Sequence, residues 1–428
     1  MNQKLIGNWY FGWNIVAAAT VITLLTVGMR MSIGPFFLPM AEDLGLSRTL
    51  LSAIVGIGML VYGLGMPLAG HLVGTRGTRF VLTLGMVLVT ISIIWTVLAR
   101  TPFTFFLAFG VLMSLGFSFT SPVALTPVLC RWFTRHRGMA LFSLSTGSMI
   151  GIAVMTPALT YAIHLFGWQN TMLLFGILFL ALIIPATLFI IRDDAPATTD
   201  LLPEPATADS AARPAQAPDH SSALTWAQAA RTMTFWKITL ALFACGFSMN
   251  LLGTHGVPML TDHGFDPITA SLGIGLIGLV AIPSTLILGR LSDIMPRKNL
   301  LALIYLIRAL GFFALLLVAT DWELYIVAAI GGMVWAGSIA LASAILADVY
   351  GVRVVGVLYG LTYLGHQVGA MISSSLGGWG YEAFGTHWVA FGASGVVLLI
   401  ASWISFTLPM KGVPQAAVPD ASGTRASA

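Results

Sequence analysis

The chain has 428 residues, of which 57% are hydrophobic and only 8% charged, and its mean hydropathy is +0.91. Soluble globular domains carry about 25% charged residues, so composition excludes a soluble domain and requires a polytopic membrane protein. The net charge of +4 would suit a nucleic-acid or anionic-lipid surface, but its distribution along the chain has another explanation.

Spans of roughly 20 apolar residues, separated by short charged or Gly/Pro loops, predict about twelve transmembrane helices. In chain order they fall near 12–37, 48–73, 80–99, 103–129, 137–163, 168–191, 236–260, 267–289, 299–319, 323–347, 354–378 and 387–409. Runs such as Val81 to Leu98 are apolar on all sides, which opposes the two-residue alternation of a β-barrel strand. The first span follows only Lys4 as a basic residue and lacks a small-residue cleavage site, so it is expected to be retained. Cys130 and Cys245 lie in or beside apolar spans and are read as small hydrophobes, with no disulfide or metal site implied.

Alternating the loops from a cytoplasmic N-terminus puts sixteen of the twenty lysines and arginines on one face, among them Arg76, Arg79, Arg131, Arg135, Arg137, Arg192, Arg297 and Lys298. Only Arg48 and Arg100 fall in loops on the other face. This positive-inside bias places both termini in the cytoplasm, and a bacterial inner (plasma) membrane is the expected location. Asp43, Asp262, Asp266, Glu323 and Glu382 gather on the opposite face, and none of the sixteen acids lies well inside a span.

The expected organisation is an N-terminal six-helix bundle over 1–195, a cytoplasmic linker over 196–232, a C-terminal six-helix bundle over 233–410 and a disordered tail over 411–428. The linker is rich in Pro, Ala, Ser and Asp and cannot bury enough apolar surface to order itself. Its last part, Leu224 to Met233, has the pattern of a short amphipathic helix on the inner membrane surface. The halves repeat each other. A shift of 219 pairs Pro39-Met40 with Pro258-Met259, Asp43 with Asp262 and Gly45 with Gly264, and a shift of 218 pairs Gly147 with Gly365, Gly151 with Gly369 and Gly167 with Gly385.

After the second span, Gly70, Gly77 and Arg79 stand in the stretch GHLVGTRGTR, and Gly289, Asp293 and Lys298 occupy the corresponding stretch after the eighth. This pattern resembles the G-x-x-x-D-R-x-G-R-R signature of the major facilitator superfamily, with Gly74 in place of the usual Asp in the first copy and Pro296 in place of a Gly in the second. Arg131-Trp132-Phe133 followed by Arg137-Gly138-Met139-Ala140, together with Pro67-Leu68-Ala69 and Gly12-Trp13, is similar to the monocarboxylate transporter and oxalate/formate exchanger group. The resemblance implies an all-α membrane fold of two pseudo-symmetric six-helix bundles. It also makes Gly70, Gly77, Arg79, Arg137, Gly289, Asp293 and Lys298 a conformational latch, and puts the first, fourth, seventh and tenth helices around a central cavity. An Arg that the group carries in the eighth helix is replaced by Ile282.

A cation at the bilayer centre costs about 2.5–3.5 kcal/mol on insertion scales, so each intramembrane Arg is a functional candidate. Arg30 shares a helix face with Thr23 and Thr26, and its planar fork suits a carboxylate. Arg308 lies in the ninth span, where snorkelling or a bond to a neighbouring carbonyl is the expected role. In the eleventh span Tyr359, Thr362, Tyr363, His366 and Gln367 form a polar stripe at helical spacing. His366 is the candidate proton carrier, because imidazole titrates near neutral pH. Asn250, Thr254 and His255 on the seventh span, Tyr62 on the second, Phe117, Ser118, Phe119 and Ser121 on the fourth, and Trp335 and Ser338 on the tenth complete the candidate substrate contacts.

No nucleotide-binding, metal-ligand or nucleophile constellation is present at the required spacing, so neither an enzyme nor a cofactor is expected. The reading is a secondary active transporter of a small organic anion, a monocarboxylate by preference, working by alternating access with proton symport and anion exchange both open. Its partners are the anionic substrate, the lipid bilayer and protons, with no nucleic acid. Efflux of drugs or other amphipathic solutes is the alternative, weakened by the lack of a buried acid, and a non-transporting membrane solute sensor is a third reading. Organophosphate exchange would favour a second cation at Met249, the repeat partner of Arg30.

Overall fold

The structure is a computed structural model in which residues 10–133, 136–195, 225–350 and 355–409 are described. Residues 196–224 of the expected 196–232 linker and the tail 411–428 lie outside the described residues. Every regular element among the described residues is helical. Ten segments are long and apolar enough to cross a membrane. One of them, 139–190, is divided at Gly167, where φ is 75°, and Val355–Phe384 is a further helix of 30 residues. The set is consistent with twelve crossings.

These are α1 (Gly12–Met31, continued by Gly34–Leu44), α2 (Arg48–Arg76), α3 (Thr78–Leu98), α4 (Pro102–Trp132), α5 (137–166), α6 (168–190), α7 (Met233–Asp262), α8 (Pro267–Ile294), α9 (Arg297–Leu315), α10 (Asp321–Met333, continued by Gly337–Tyr350), α11 (Val355–Phe384) and α12 (Trp388–Phe406). Most run several residues past the expected apolar limits because caps, rather than the end of hydropathy, stop them. Ser47 accepts from the Leu50 amide at the start of α2, and Asp266 accepts from the Ile268 and Thr269 amides before Pro267 opens α8. The short helix before α7 is a single turn, Trp226–Ala229, closed by a Thr225/Gln228 capping box.

The repeat seen in the sequence is present in the backbone. Gly45 and Gly264 both end a helix with positive φ (60° and 96°), and Gly167 and Gly385 both turn the chain with positive φ (75° and 65°), a region that only glycine enters without strain. Asp43 accepts from the Trp168 indole nitrogen at 3.2 Å, while Asp262, 219 residues on, bonds the His387 Nε2 at 2.9 Å; Trp168 and His387 are related by the same shift. Buried apolar side chains form two large clusters. One is drawn from 229–408 plus Met31 and Ile152, the other from 15–191 plus Ala370. Many large apolar side chains, such as Leu98, Phe189 and Trp403, stay exposed on the outer helix faces, as a lipid-facing surface requires.

Three helices break partway along. Pro35 follows the Ser32–Ile33 break in α1, and Pro122 follows the Thr120–Ser121 break in α4; proline lacks the donor and clashes with the carbonyl four residues back. In α10 the break at Val334–Ala336 has no proline. There the Val334 and Trp335 carbonyls accept from Arg308 Nη2, at 2.7 and 2.5 Å. Small residues bring helices close together elsewhere. A Cβ at Gly151 would lie 2.6 Å from the Leu24 carbonyl oxygen, joining α5 to α1, and one at Gly246 would lie 1.9 Å from the His366 carbonyl oxygen, joining α7 to α11. Gly246→Ala is therefore expected to cost about 1–3 kcal/mol by overpacking and to lower the melting temperature in detergent by several degrees. Gly311→Ala, with nothing within 4 Å of its Cβ position, should leave it unchanged; equal melting of the two variants would refute this packing.

Candidate substrate site and gates

Arg30 sits in the last turn of the first segment of α1, immediately before the break, where carbonyl ends favour a cation. It is buried, and among the described residues no carboxylate lies within ion-pairing distance of it. Its Nη1 donates to Met59 Sδ at 3.1 Å and to Asn250 Oδ1 at 3.3 Å, its guanidinium carbon lies 4.3 Å from the centre of the Tyr62 ring, and its Nε has no partner. Asn250 is held in turn by its own Nδ2 donating to the Gly246 carbonyl at 3.0 Å. The cation of one bundle is thus met by a neutral amide of the other.

The polar stripe of α11 faces the same place. The side chain of Gln367 lies against Gly63, the neighbour of Tyr62, and the Tyr363 and His366 rings stack at 5.0 Å with 5° between their planes. Arg30 is within electrostatic range of Tyr62, Tyr363 and His366. His366 and Gln367 are almost fully buried, yet neither His366 nitrogen has a hydrogen-bond partner, and the Gln367 amide faces Tyr363 without forming a bond. Unpaired buried groups each cost about 1–3 kcal/mol, and here they gather around a cation that has no carboxylate partner among the described residues. Tyr359 continues the stripe, its ring 5.9 Å from that of Tyr363.

Other expected contacts lie elsewhere. His255 bonds the Ser374 carbonyl at 2.9 Å and Ser52 Oγ at 3.3 Å and meets the Phe37 ring edge-on, so it joins the bundles on the far side of Arg30 from the termini. Phe119 packs in a small cluster with Ala69, Val73 and Val81, inside its own bundle. Trp335 lies beside Met31, Ile152 and Leu252, with an unpartnered Nε1. Thr26 bonds Thr120 at 2.9 Å, tying α1 to the break of α4, while Thr23 and Thr254 have unpartnered hydroxyls. Arg308 holds the α10 break and also reaches Ser338 and Cys245, the carbonyl-bonding role expected of it.

The two ends of the molecule differ. At the end away from the termini the bundles are joined by Arg48 to Asp262 at 2.5 Å, with the Arg48 guanidinium over the Tyr381 ring at 4.0 Å. Beside them the Thr49 amide donates to Glu382 at 3.1 Å and Ser374 Oγ donates to the Ser52 carbonyl at 3.1 Å. At the end bearing the termini the latch candidates bond within their own bundles. The Thr78 and Arg79 amides donate to Asp193, Arg79 Nε donates to the Ile191 carbonyl, and Arg131 pairs with Asp193 at 3.5 Å. Gly77 turns with φ 86° directly over that carboxylate. In the second half Lys298 donates to the Phe406 carbonyl at 3.2 Å and Arg297 pairs with Asp348. No atom lies within 4 Å of a Cβ built at Gly289, and only Val123, at 3.9 Å, approaches one at Gly70. The side chains of Arg137 and Asp293 lie outside the described residues. Trp132 and Phe133 fasten the start of α1, through Tyr10, Phe11 and Trp13.

Sequence reasoning missed Met59, Ser52, Ser374 and the role of Arg48 and Asp262 in joining the bundles. Only Asp262 left a signal, as the repeat partner of Asp43.

The sequence profile of the Major Facilitator Superfamily matches residues 19–320 and 238–426. The chain belongs to this superfamily. An uncharacterized transporter of the same type from Bacillus subtilis, YcxA, is 25% identical over 410 residues, covering 92% of each chain. Human monocarboxylate transporter 11 is 26% identical over 421 residues, covering 94% of this chain and 83% of its own. A bacterial homolog of the human lysosomal transporter Spinster, crystallised in an inward-facing and occupied conformation, superposes with a TM-score of 0.70 at 17% identity over 94% of this chain and 97% of that one. The protein is therefore an integral membrane transporter, not an enzyme.

Asp262→Asn removes the charge that Arg48 and His387 share. Partly exposed pairs of this kind are worth up to about 1 kcal/mol, so the joined end should open about two- to five-fold more often. The readout is maleimide labelling of Ser374→Cys in a background carrying Cys130→Ser and Cys245→Ser; unchanged labelling would show that Asp262 does not hold this end shut.

Proposed function

We propose that the protein is a secondary active transporter of a small organic anion, a monocarboxylate, working by alternating access. The observation that carries this reading is the buried Arg30 guanidinium, which lacks a carboxylate partner among the described residues and faces unpaired polar groups of the opposite bundle. A carboxylate would take the Arg30 fork by two parallel charge-assisted hydrogen bonds, displacing the weaker Asn250 amide and Met59 thioether. Its other oxygen edge would receive His366, Gln367 and the Tyr62 and Tyr363 hydroxyls, so that bound anion ties α1 and α2 to α7 and α11. The similarity to monocarboxylate transporters supports the same substrate class.

Among the described residues, the charged loop contacts of Arg48, Asp262, Thr49 and Glu382 join the bundles at the end away from the termini, which supports a state closed there and approachable from the end bearing the termini. The concentration of basic residues at that end supports reading it as the cytoplasmic side of a bacterial inner membrane. Substrate binding would release the far contacts and close the near end, with the loops around Arg79 and Lys298 moving as parts of their own bundles. With no acid buried beside the site among the described residues, a co-transported proton would travel on His366 or on the cargo; in exchange, a second anion would replace it.

Arg30→Gln in liposomes should reduce counterflow of a labelled short carboxylate by about 10- to 100-fold, the worth of a charged hydrogen-bonding group, with insertion and melting unchanged. Counterflow retained at wild-type level would remove the central role of Arg30. His366→Asn should flatten the pH profile of uptake if the imidazole carries the proton; an unaltered profile would confine His366 to binding.

A further inference from the structure

A small cavity of about 20 Å³ opens beside Arg30, between α1, α2 and α4. Its walls are Met29 of α1, Val55 and Met59 of α2, and Phe109, Met113 and Phe117 of α4. Such a volume has room for one or two water-sized groups, but a water needs two to four polar partners. Arg30 and Ser114 are the polar side chains of a lining otherwise made of aliphatic, thioether and phenyl groups, so most of the space favours apolar atoms. The guanidinium edge that borders it is turned toward Met59 Sδ, a weak acceptor that a carboxylate readily replaces.

The far wall is a π-helical stretch, Phe106–Met113, whose wider turn is an uncommon geometry that recurs at functional sites. Its distance from α2 is set by backbone contact. A Cβ at Gly58 would lie 2.9 Å from the Gly110 carbonyl oxygen and 2.7 Å from Ser114 Oγ, so these helices cannot approach further, and the cavity has a fixed depth with walls softened only by methionine.

We infer that this cavity is the specificity pocket for the non-carboxylate end of the cargo, and that it measures an apolar tail of about one or two carbons while Arg30 holds the head. The inference rests on the carboxylate reading above and extends it to a part of the first bundle that no other element of the mechanism uses. Each methylene that enters should tighten binding about four-fold, and methylenes beyond the pocket should lose affinity by overpacking.

The test is inhibition of counterflow in liposomes by unbranched carboxylates from acetate to hexanoate. Apparent affinity should rise about four-fold from acetate to propionate and then fall. Val55→Leu, which fills the cavity, should lower the hexanoate-to-acetate affinity ratio about ten-fold, and Met113→Ala, which enlarges it, should raise the ratio by a similar factor. The ratio is independent of how much carrier is active, and the two variants act in opposite directions, so a folding defect in one does not mimic the result. If both keep the wild-type chain-length profile while Arg30→Gln still abolishes counterflow, the pocket is refuted and the carboxylate reading stands. If no carboxylate of any length inhibits the wild-type protein, both fall.

Discussion

A guanidinium held in the middle of a membrane protein without a carboxylate to neutralise it is the constraint around which the rest of this structure is arranged. Arg30 is stabilised by partial measures only: the carbonyl end of a broken helix, the face of Tyr62, a thioether and one amide from the opposite bundle. Each is weaker than a charged partner, and none satisfies Nε. A site left in this condition gains most from a small anion. Because the amide comes from α7 and the unpaired imidazole and amide groups from α11, such an anion would act on the relative position of the bundles as well as on Arg30.

The second buried cation shows the contrast. Arg308 is as deeply enclosed and its Nε is likewise without a partner, but its Nη2 donates to the Val334 and Trp335 carbonyls and to Ser338 at the break in α10. It spends its hydrogen bonds on carbonyls that the interrupted helix leaves without partners, and so stabilises the fold. Two arginines that look alike in an apolar span therefore differ in the partners that the surrounding helices offer them.

The internal repeat also carries an asymmetry with consequences. Asp43 and Asp262 hold equivalent loop residues in the two halves, Trp168 and His387, but only Asp262 has in addition a partner across the bundles, in Arg48. One bond of a symmetric framework has become part of a contact between halves, at the end away from the termini. At the other end the loop charges of Arg79, Asp193, Lys298 and Asp348 are used within each bundle. The backbones of α2 and α11, and of α5 and α8, pack closely between the bundles, and motion of one bundle against the other would pivot there.

Hydropathy, the positive-inside bias and the repeat were sufficient to determine the helical membrane fold, the equivalence of the halves and the positions of two intramembrane arginines, because these depend on local composition and on the cost of placing charge and backbone in lipid. The polar stripe of α11 was legible for the same reason, as a periodicity along one helix. What only the tertiary structure decided is which of those groups meet: that Asn250 reaches Arg30, that His255 joins the bundles far from it, that Phe119 stays inside its own bundle, and that Met59 and the π-helical wall of α4 border the cation. Such pairings depend on how close the glycines at 58, 63 and 246 let the helix backbones come, a distance set jointly by residues far apart in the chain.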